Sequence, residues 1–236
     1  MSPLRLGVRT RDYAYALRHQ ARALLGPRTD PAGLLALPDA PATGHGAPVL
    51  LLPGIYETWR FLEPLARRLV AAGHPVHVVT TLGINRRPLD DAAARAADYL
   101  AEHDLTGVVL VAHSKGGLIG KALMLSPAGW RVAGMVAVAT PWEGSGYARL
   151  FPPGSAVRHL SSRARRVRAL SRERAVNARI VAVAPAWDPH VPGTGELPGA
   201  LRCVRLAGSG HFRVLDDADL LAAVRSAVAE LGHAGP

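Results

Sequence analysis

The chain alternates short apolar runs with longer stretches in which apolar residues recur every three or four positions. Each short run is rich in Val, Leu and Ile and is followed by a turn signal. Continuous rather than alternating hydrophobicity is typical of strands that are covered on both faces. The predicted strands occupy residues 49–53, 76–80, 108–112, 132–139, 179–184 and 201–206.

Amphipathic helices are predicted between these strands. The segments with helical spacing occupy residues 59–72, 90–102, 118–125 and 216–231. Strands that alternate with helices form right-handed βαβ units, so the sequence predicts an α/β fold with a mostly parallel central sheet of about six strands and helices on both faces. Because no internal repeat or long linker is visible, we expect a single domain over residues 1–236.

Two amphipathic segments lie outside this alternation. The first, residues 10–25, has Thr10 as a candidate N-cap and Asp12 in its first turn. The second, residues 155–177, also has a helical pattern. The apolar stripe predicted on the first helix consists of Tyr13, Leu17, Ala21 and Leu24.

These segments set the expected subdivision of the domain. Residues 1–47 form an N-terminal helical arm and an extended approach segment, and residues 49–231 form the core. Between the fourth and fifth predicted strands, only a short helical insertion around residues 141–178 is available, which excludes a large lid domain.

The positive charge of the chain is concentrated in the two additional helices. The chain has 28 Lys and Arg residues against 18 Asp and Glu residues, for a net charge of +10. Arginines clustered in residues 1–28 and 158–174 account for this excess, so the rest of the chain is close to neutral and a nucleic-acid partner is not expected. Two interpretations of the clusters stay open: peripheral contact with an anionic membrane surface, or a solvated helix face.

The remaining composition restricts the class of protein. Hydrophobic residues make up 49% of the chain and charged residues 19%, which excludes general disorder. A single cysteine, Cys203, excludes an internal disulfide framework and a four-cysteine zinc site. With no signal-peptide pattern and no long apolar run, we expect a cytoplasmic protein. No cofactor or metal is predicted, and the oligomeric state stays open.

The most informative motif begins at the end of the third predicted strand, in the sequence VVLVAHSKGG over residues 108–117. A buried strand leads directly into Ser114, and a helix follows. In a nucleophile elbow of this kind, the serine occupies a strained turn, and small neighbours such as Ala112 and Gly116 let the strand and helix approach each other. The motif predicts that Ser114 is a nucleophile.

A serine nucleophile requires a base, and His211 is the histidine in the appropriate place. It lies in a glycine-rich loop, GSGHF, between the last strand and the last helix. His113 is expected to be fixed in the elbow turn, while histidines on predicted helices, such as His19, are expected to be solvated. Asp188 follows directly on the fifth strand and is the predicted orienting acid, with Glu143 as the alternative.

Two backbone N–H groups are expected to stabilise the oxyanion. One belongs to Lys115, which follows the nucleophile at a helix N-terminus, and the other to Ile55 in the loop after the first strand. The side chain of Lys115 has three possible roles: it faces an anionic substrate group, pairs with Glu143, or is solvated. Aromatic residues after the strand ends predict an apolar substrate pocket. These residues are Tyr56, Trp59, Trp142, Trp187 and Phe212.

With these motifs in order, the sequence resembles the α/β-hydrolase superfamily, and within it the small bacterial serine lipases and esterases. The segments that carry the resemblance are LLPGI (51–55), AHSKGG (112–117), ATPWEGS (139–145), FPPGS (151–155), DPHVP (188–192) and GSGHF (208–212). The resemblance implies hydrolysis of a small-molecule or lipid carboxylic ester through a Ser-His-Asp triad and an acyl-enzyme. An acyltransferase or thioesterase with the same triad stays open, as does a binding protein of this fold without catalysis.

Overall fold

The computed structural model describes residues 3–25, 46–191, 193 and 195–233. Within them, six strands form one sheet in the order β2-β1-β3-β4-β5-β6, and all neighbouring strands pair in parallel. The strands are β1 (Val49–Leu52), β2 (Val76–Val78), β3 (Val108–His113), β4 (Val132–Val138), β5 (Ile180–Ala184) and β6 (Arg202–Arg205). The predicted α/β class, with a parallel sheet of about six strands, is confirmed.

Helices cover both faces of this sheet, as predicted. They are α1 (Pro3–Leu25), α2 (Glu63–Ala71), α3 (Leu89–Glu102), α4 (Lys115–Met124), α5 (Arg165–Arg172) and α6 (Ala218–His233). The helices α3, α4 and α5 pack on one face, against alternate strand residues such as Leu110 and Met135. The helices α2 and α6 pack on the other face, against residues such as Val109 and Val136. This alternation produces two apolar layers, one on each side of the sheet.

The parallel arrangement brings the predicted site residues to one edge of the sheet. The loops that contain Ile55, Ser114, Asp188 and His211 all begin at the carboxyl ends of strands, namely β1, β3, β5 and β6. In open α/β sheets, this edge is the usual place for a ligand site. The fold alone therefore makes these four residues neighbours.

The last strand differs from the prediction. β6 is an edge strand in which Arg202, Cys203 and Arg205 are exposed. It is therefore not buried on both faces: Val204 packs against an apolar layer, whereas Arg202 forms an ion pair with Glu230 of α6. Its role is to pair with β5 and to direct the following loop toward the site.

The N-terminal helix also differs from its predicted form. It begins at Pro3, so Thr10 is not an N-cap but lies within the helix, where its hydroxyl donates to the carbonyl of Leu6. Of the predicted apolar stripe, Tyr13, Leu17 and Ala21 are exposed, and the side chain of Leu24 lies outside the described part of the structure. Instead, the helix buries Asp12 and His19, so the expectation that His19 is solvated was wrong. The ring of His19 stacks on Tyr15.

The segment 155–177 is not one continuous helix. It contains a 3₁₀ turn, Val157–Leu160, and then α5. The hydroxyl of Ser161 accepts a hydrogen bond from the N–H of Arg163, and the carboxylate of Glu173 accepts from the N–H groups of the two residues after it. Such local bonds compete with the hydrogen bonds of a helix, which explains why α5 occupies only the middle of the segment 155–177.

The expected subdivision of the chain is only partly visible. Of the predicted approach segment that precedes β1, residues 46–47 lie within the described part of the chain. Between β4 and β5, the described chain forms short turns and α5, with no large lid domain. The domain boundaries stay a prediction.

Candidate active site

The turn after β3 holds Ser114 in a strained backbone conformation. Its φ of 52° and ψ of −119° lie outside the regions that most L-residues adopt, and its N–H donates to the carbonyl of Val138 at 2.8 Å. The neighbouring glycines are required by space: a Cβ at Gly116 would overlap the carbonyl oxygen of Leu52. The sequence thus forms the sharp strand–helix turn that presents a serine at the sheet edge.

A chain of two hydrogen bonds connects Ser114 to His211 and Asp188. Nε2 of His211 lies 2.9 Å from Oγ of Ser114, and Nδ1 lies 2.7 Å from Oδ2 of Asp188. The other carboxylate oxygen of Asp188 accepts from the N–H groups of His190 and Val191 at 2.7 and 2.9 Å. The alternative acid, Glu143, is exposed.

Burial and charge shift the two titratable members of this chain. Burial on its own would raise the pKa of Asp188, but the adjacent His211 and the two backbone donors outweigh it and lower that pKa. Burial would lower the pKa of His211, whereas the carboxylate of Asp188, with those of Glu57 and Asp12, raises it. An imidazole oriented in this way can take a proton from a serine hydroxyl during nucleophilic attack.

The predicted oxyanion donors lie beside Ser114. Lys115 is the first residue of α4, and Ile55 lines the same cavity as Ser114. The N–H of Gly54 is already engaged, since it donates to the carboxylate of Glu57 at 2.6 Å. The next residue after Ile55, Tyr56, has a φ of 60°, a strained conformation for a residue with a side chain.

The side chain of Lys115 has none of the three roles considered from the sequence. It is buried, and Nζ donates to the carbonyl oxygens of Asn85 and Arg87 at 2.7 and 2.6 Å and to Oδ1 of Asn85 at 3.2 Å. The side-chain amide of Asn85 in turn donates to the carbonyl of Pro53 at 2.7 Å. Lys115 therefore ties the loop after β2 to the start of the Ile55 loop.

This arrangement predicts a stability difference between the only two lysines of the chain. Both are buried, and burial lowers the pKa of each to about 8. We expect Lys115→Met to lower the free energy of unfolding by about 1–3 kcal/mol, because it leaves buried oxygens without a donor. Lys121→Met is the matched control: its Nζ has no hydrogen-bond partner among the described residues and lies over the ring of Trp142, so its loss is expected to be neutral or stabilising. Urea denaturation measures both, and equal losses would contradict the role of Lys115.

Ser114 and His211 open into an apolar cavity of about 520 Å³. Its walls come from α1, from the Ile55 loop and from the 3₁₀ turns Tyr147–Leu150 and Val157–Leu160. The apolar residues that line it include Tyr13, Ala16, Leu17, Ile55, Tyr56, Phe61, Ala148, Phe151, Val157, Leu160 and Phe212. The exposed large apolar side chains of the lining are Tyr13, Leu17, Tyr56, Tyr147 and Phe151.

Two of the five aromatic residues predicted to form the pocket line this cavity, Tyr56 and Phe212. The other three do not. Trp142 is buried in the core beside α4, and Trp59 packs against the opposite apolar layer with α2. Trp187 lies under the guanidinium of Arg5, 5.6 Å from ring centroid to Cζ. The prediction failed there because proximity to a strand end does not determine which way a ring points.

Three polar residues near the site were given no functional role from the sequence. Glu57 and His113 form a buried pair, with Nδ1 of His113 3.0 Å from Oε2 of Glu57, and Nε2 of His113 lies 3.0 Å from the carbonyl of His211. The third is His190, whose ring packs against the rings of His211 and Phe212. The only available signal was their place in the motif segments or next to them, at 51–55, 112–117 and 188–192.

The fold and the geometry together define the class of this chain: it has the α/β-hydrolase fold. Neither a protein-family model nor a curated protein matches the sequence. Solved structures do match, among them the mature lipase BlEst2 of Bacillus licheniformis (15% identity, 80% of this chain and 96% of that chain, TM-score 0.62).

Two further matches have the same coverage of this chain. The proposed non-heme bromoperoxidase BpoC of Mycobacterium tuberculosis has 16% identity over 80% of this chain and 94% of that chain, with a TM-score of 0.61. The esterase RhEst1 of Rhodococcus sp. has 20% identity over 80% of this chain and 93% of that chain, with a TM-score of 0.53. At these identities the similarity establishes the fold.

Two kinds of feature are absent from the described residues, a metal-binding cluster and a membrane-spanning helix. No three His, Cys, Asp or Glu side chains in residues 3–25, 46–191, 193 and 195–233 converge to hold a metal ion. No helix within the same residues combines the length and apolar character needed to cross a membrane.

Proposed function

We propose that this protein is a serine hydrolase that cleaves carboxylic esters with an apolar acyl group. One observation carries the proposal: the hydrogen-bonded chain from Ser114 through His211 to Asp188 opens into an apolar cavity. In this proposal the three residues are a catalytic triad, and Ile55 and Lys115 supply the oxyanion donors.

The reaction follows from the positions of these atoms. Oγ of Ser114 attacks the ester carbonyl carbon while its proton passes to Nε2 of His211, and the N–H groups of Ile55 and Lys115 stabilise the oxyanion. The C–O bond to the alcohol breaks, and His211 transfers its proton to the leaving oxygen. Water then attacks the acyl-enzyme and gives its proton to His211, and collapse releases the carboxylic acid and restores the Ser114 hydroxyl.

Covalent labelling tests the nucleophile. We expect a fluorophosphonate probe to label the wild-type protein and to fail with Ser114→Ala. Ser171→Ala is the matched control, because that hydroxyl lies on α5 and donates only to the nearby carbonyl of Arg168. A wild-type protein that the probe does not label, or equal labelling of Ser114→Ala, overturns the proposal.

A series of chromogenic esters tests the substrate. Each methylene buried in the cavity contributes about 0.8 kcal/mol, so kcat/KM is expected to rise by about fourfold per added carbon until the cavity is filled. Preference for the shortest chains would favour an esterase over a lipase. Turnover of thioesters alone, or acyl transfer to an added alcohol in place of hydrolysis, would favour the alternatives that share this triad.

Contact with an anionic membrane surface stays a prediction.

A further inference from the structure

Helix α1 forms part of the cavity wall and contacts three loops of the candidate site. Asp12 binds the loop after β6, and Tyr13 packs edge-on against His190 in the loop after β5, with ring centroids 5.2 Å apart. The side-chain amide of Gln20 donates to the carbonyl of Tyr56 at 3.1 Å, in the loop after β1. A helix far from these loops in sequence is thus part of the cavity wall.

The contact at Asp12 is the most specific of the three. The residue has no exposed surface, and its Oδ1 accepts from the N–H groups of Phe212 and Arg213 at 2.8 and 2.9 Å. These are the two residues directly after His211. On the other side of His211, Gly210 has a φ of 121°, and a Cβ there would lie 2.6 Å from the same oxygen. The backbone around His211 is therefore shaped to fit this carboxylate.

Burial of this carboxylate costs free energy that packing alone does not explain. Within the part of the chain that the structure describes, its Oδ2 has no hydrogen-bond partner and lies 3.9 Å from Nε2 of His190. A buried polar atom without a partner is unfavourable by about 1–3 kcal/mol, a cost that the two hydrogen bonds to Oδ1 offset. Through these two bonds, Asp12 fixes the backbone of residues 212–213.

The segment around His211 is thus held from two sides. From the elbow, Nε2 of His113 lies 3.0 Å from the carbonyl of His211 and is placed to donate to it. From α1, Asp12 accepts the next two N–H groups. Together these bonds fix the backbone from which the imidazole reaches Ser114.

We propose that Asp12 is a positioning residue for His211, and that α1 thereby helps to set the geometry of the active site. This inference rests on the proposed function for its kinetic consequence. Without the two bonds from Asp12, the loop gains freedom and the imidazole spends less time at 2.9 Å from the serine hydroxyl. A shift of about 1 Å in a catalytic group lowers the rate by up to about a hundredfold.

Three variants of α1 form the test. Asp12→Ala removes both bonds. Asp12→Asn keeps an amide oxygen that accepts the same two N–H groups but removes the charge. Ala14→Gln alters an exposed position on the same helix and serves as the matched control.

We expect Asp12→Ala to lower kcat/KM by about tenfold to a hundredfold per active site, counted by fluorophosphonate titration, with most of the effect in kcat. Asp12→Asn should recover most of this loss. Ala14→Gln should match the wild type. A role in folding alone would reduce the melting temperature and the number of active sites without changing kcat per site.

Two measurements report on His211 itself. The titratable groups that face it are Asp188, Glu57, Asp12, His113 and His190. Because the charge of Asp12 contributes to the raised pKa of His211, the acid limb of kcat/KM in Asp12→Asn should move to lower pH. The downfield proton resonance of Nδ1–H bound to Asp188 should persist in Asp12→Asn and broaden in Asp12→Ala, without any substrate.

The outcomes separate this inference from the proposed function. If the wild type hydrolyses no ester, the proposed function is wrong. If the Nδ1–H resonance is nevertheless present in the wild type and broadened in Asp12→Ala, the positioning role of Asp12 is still supported. Asp12→Ala with kcat per site within about twofold of the wild type overturns the inference. If Asp12→Ala does not fold, Asp12→Ser replaces it, because the shorter hydroxyl cannot reach both N–H groups. A kcat per site within about twofold of the wild type then overturns the inference, and a larger loss that Asp12→Asn does not share supports it.

Discussion

Replacing Asp188 by asparagine is expected to lower kcat/KM for ester hydrolysis by about four orders of magnitude near neutral pH, with the fold retained. The side-chain oxygen of asparagine still accepts from the N–H groups of His190 and Val191, as Oδ1 of Asp188 does. Its amide nitrogen then faces Nδ1 of His211 and donates to it. The imidazole proton must therefore move to Nε2, where it blocks transfer from Ser114.

The pH profile gives this prediction a second readout. The pKa of His211 is raised, chiefly by Asp188 against the opposing effect of burial, so the wild-type acid limb should lie above the ordinary histidine value of about 6.5. Activity should fall as the pH falls through that raised value, because protonated His211 cannot act as a base. In Asp188→Asn the acid limb of the remaining activity should lie at a lower pH than in the wild type.

Glu143 supplies the matched control for this experiment. It is the other acid considered from the sequence, and in the structure it is exposed. Glu143→Gln should therefore keep the wild-type kcat/KM and acid limb. A large loss in Glu143→Gln together with a small one in Asp188→Asn would reverse the assignment of the orienting acid.

The parts of the molecule that the sequence predicted well depend on local patterns. The buried strands are continuous apolar runs, and their parallel order brings the residues after β1, β3, β5 and β6 to one edge whatever the details of packing. Ser114 could be found because its turn has steric requirements that only small neighbours satisfy. His211 and Asp188 then followed from their places after strands.

Long-range packing decided the parts that the sequence did not reveal. The hydrophobic pattern of α1 points to Leu17, yet the buried face contains Asp12, whose hydrogen-bond partners are 200 and 201 residues away in the chain. No periodicity encodes such a contact, because burial of a carboxylate is decided by the donors it meets. The cavity wall was missed for a related reason, since Ala148 and Leu160 lie in 3₁₀ turns without a regular pattern.

Loss of the Glu57 carboxylate is the second change with a large expected effect, this time on stability. Glu57 and His113 are almost fully buried, at 3% and 0% side-chain exposure. The carboxylate accepts from the N–H of Gly54 at 2.6 Å and lies 3.0 Å from Nδ1 of His113. Nε2 of His113 faces the carbonyl of His211 and is placed to donate to it, so the pair links the loop that contains Ile55 to the backbone of His211.

We expect Glu57→Ala to lower the free energy of unfolding by about 3–5 kcal/mol, because it leaves a buried partner uncompensated. kcat should fall as well, since the carboxylate shapes the turn before Ile55, whose N–H is a proposed oxyanion donor. Glu57→Gln is the conservative control. Its amide can accept from Gly54 and donate to Nδ1 of His113, so it should lose much less stability.

A double-mutant cycle separates the pair from its parts. His113→Ala leaves the carboxylate buried without its partner, whereas the double variant Glu57→Ala/His113→Ala leaves neither group unpaired. The double variant should therefore cost clearly less than the sum of the two single variants, with a coupling of about 1–3 kcal/mol in urea denaturation. Strict additivity would show that the two side chains act independently, and the link from the Ile55 loop through His113 to His211 would then have to be abandoned.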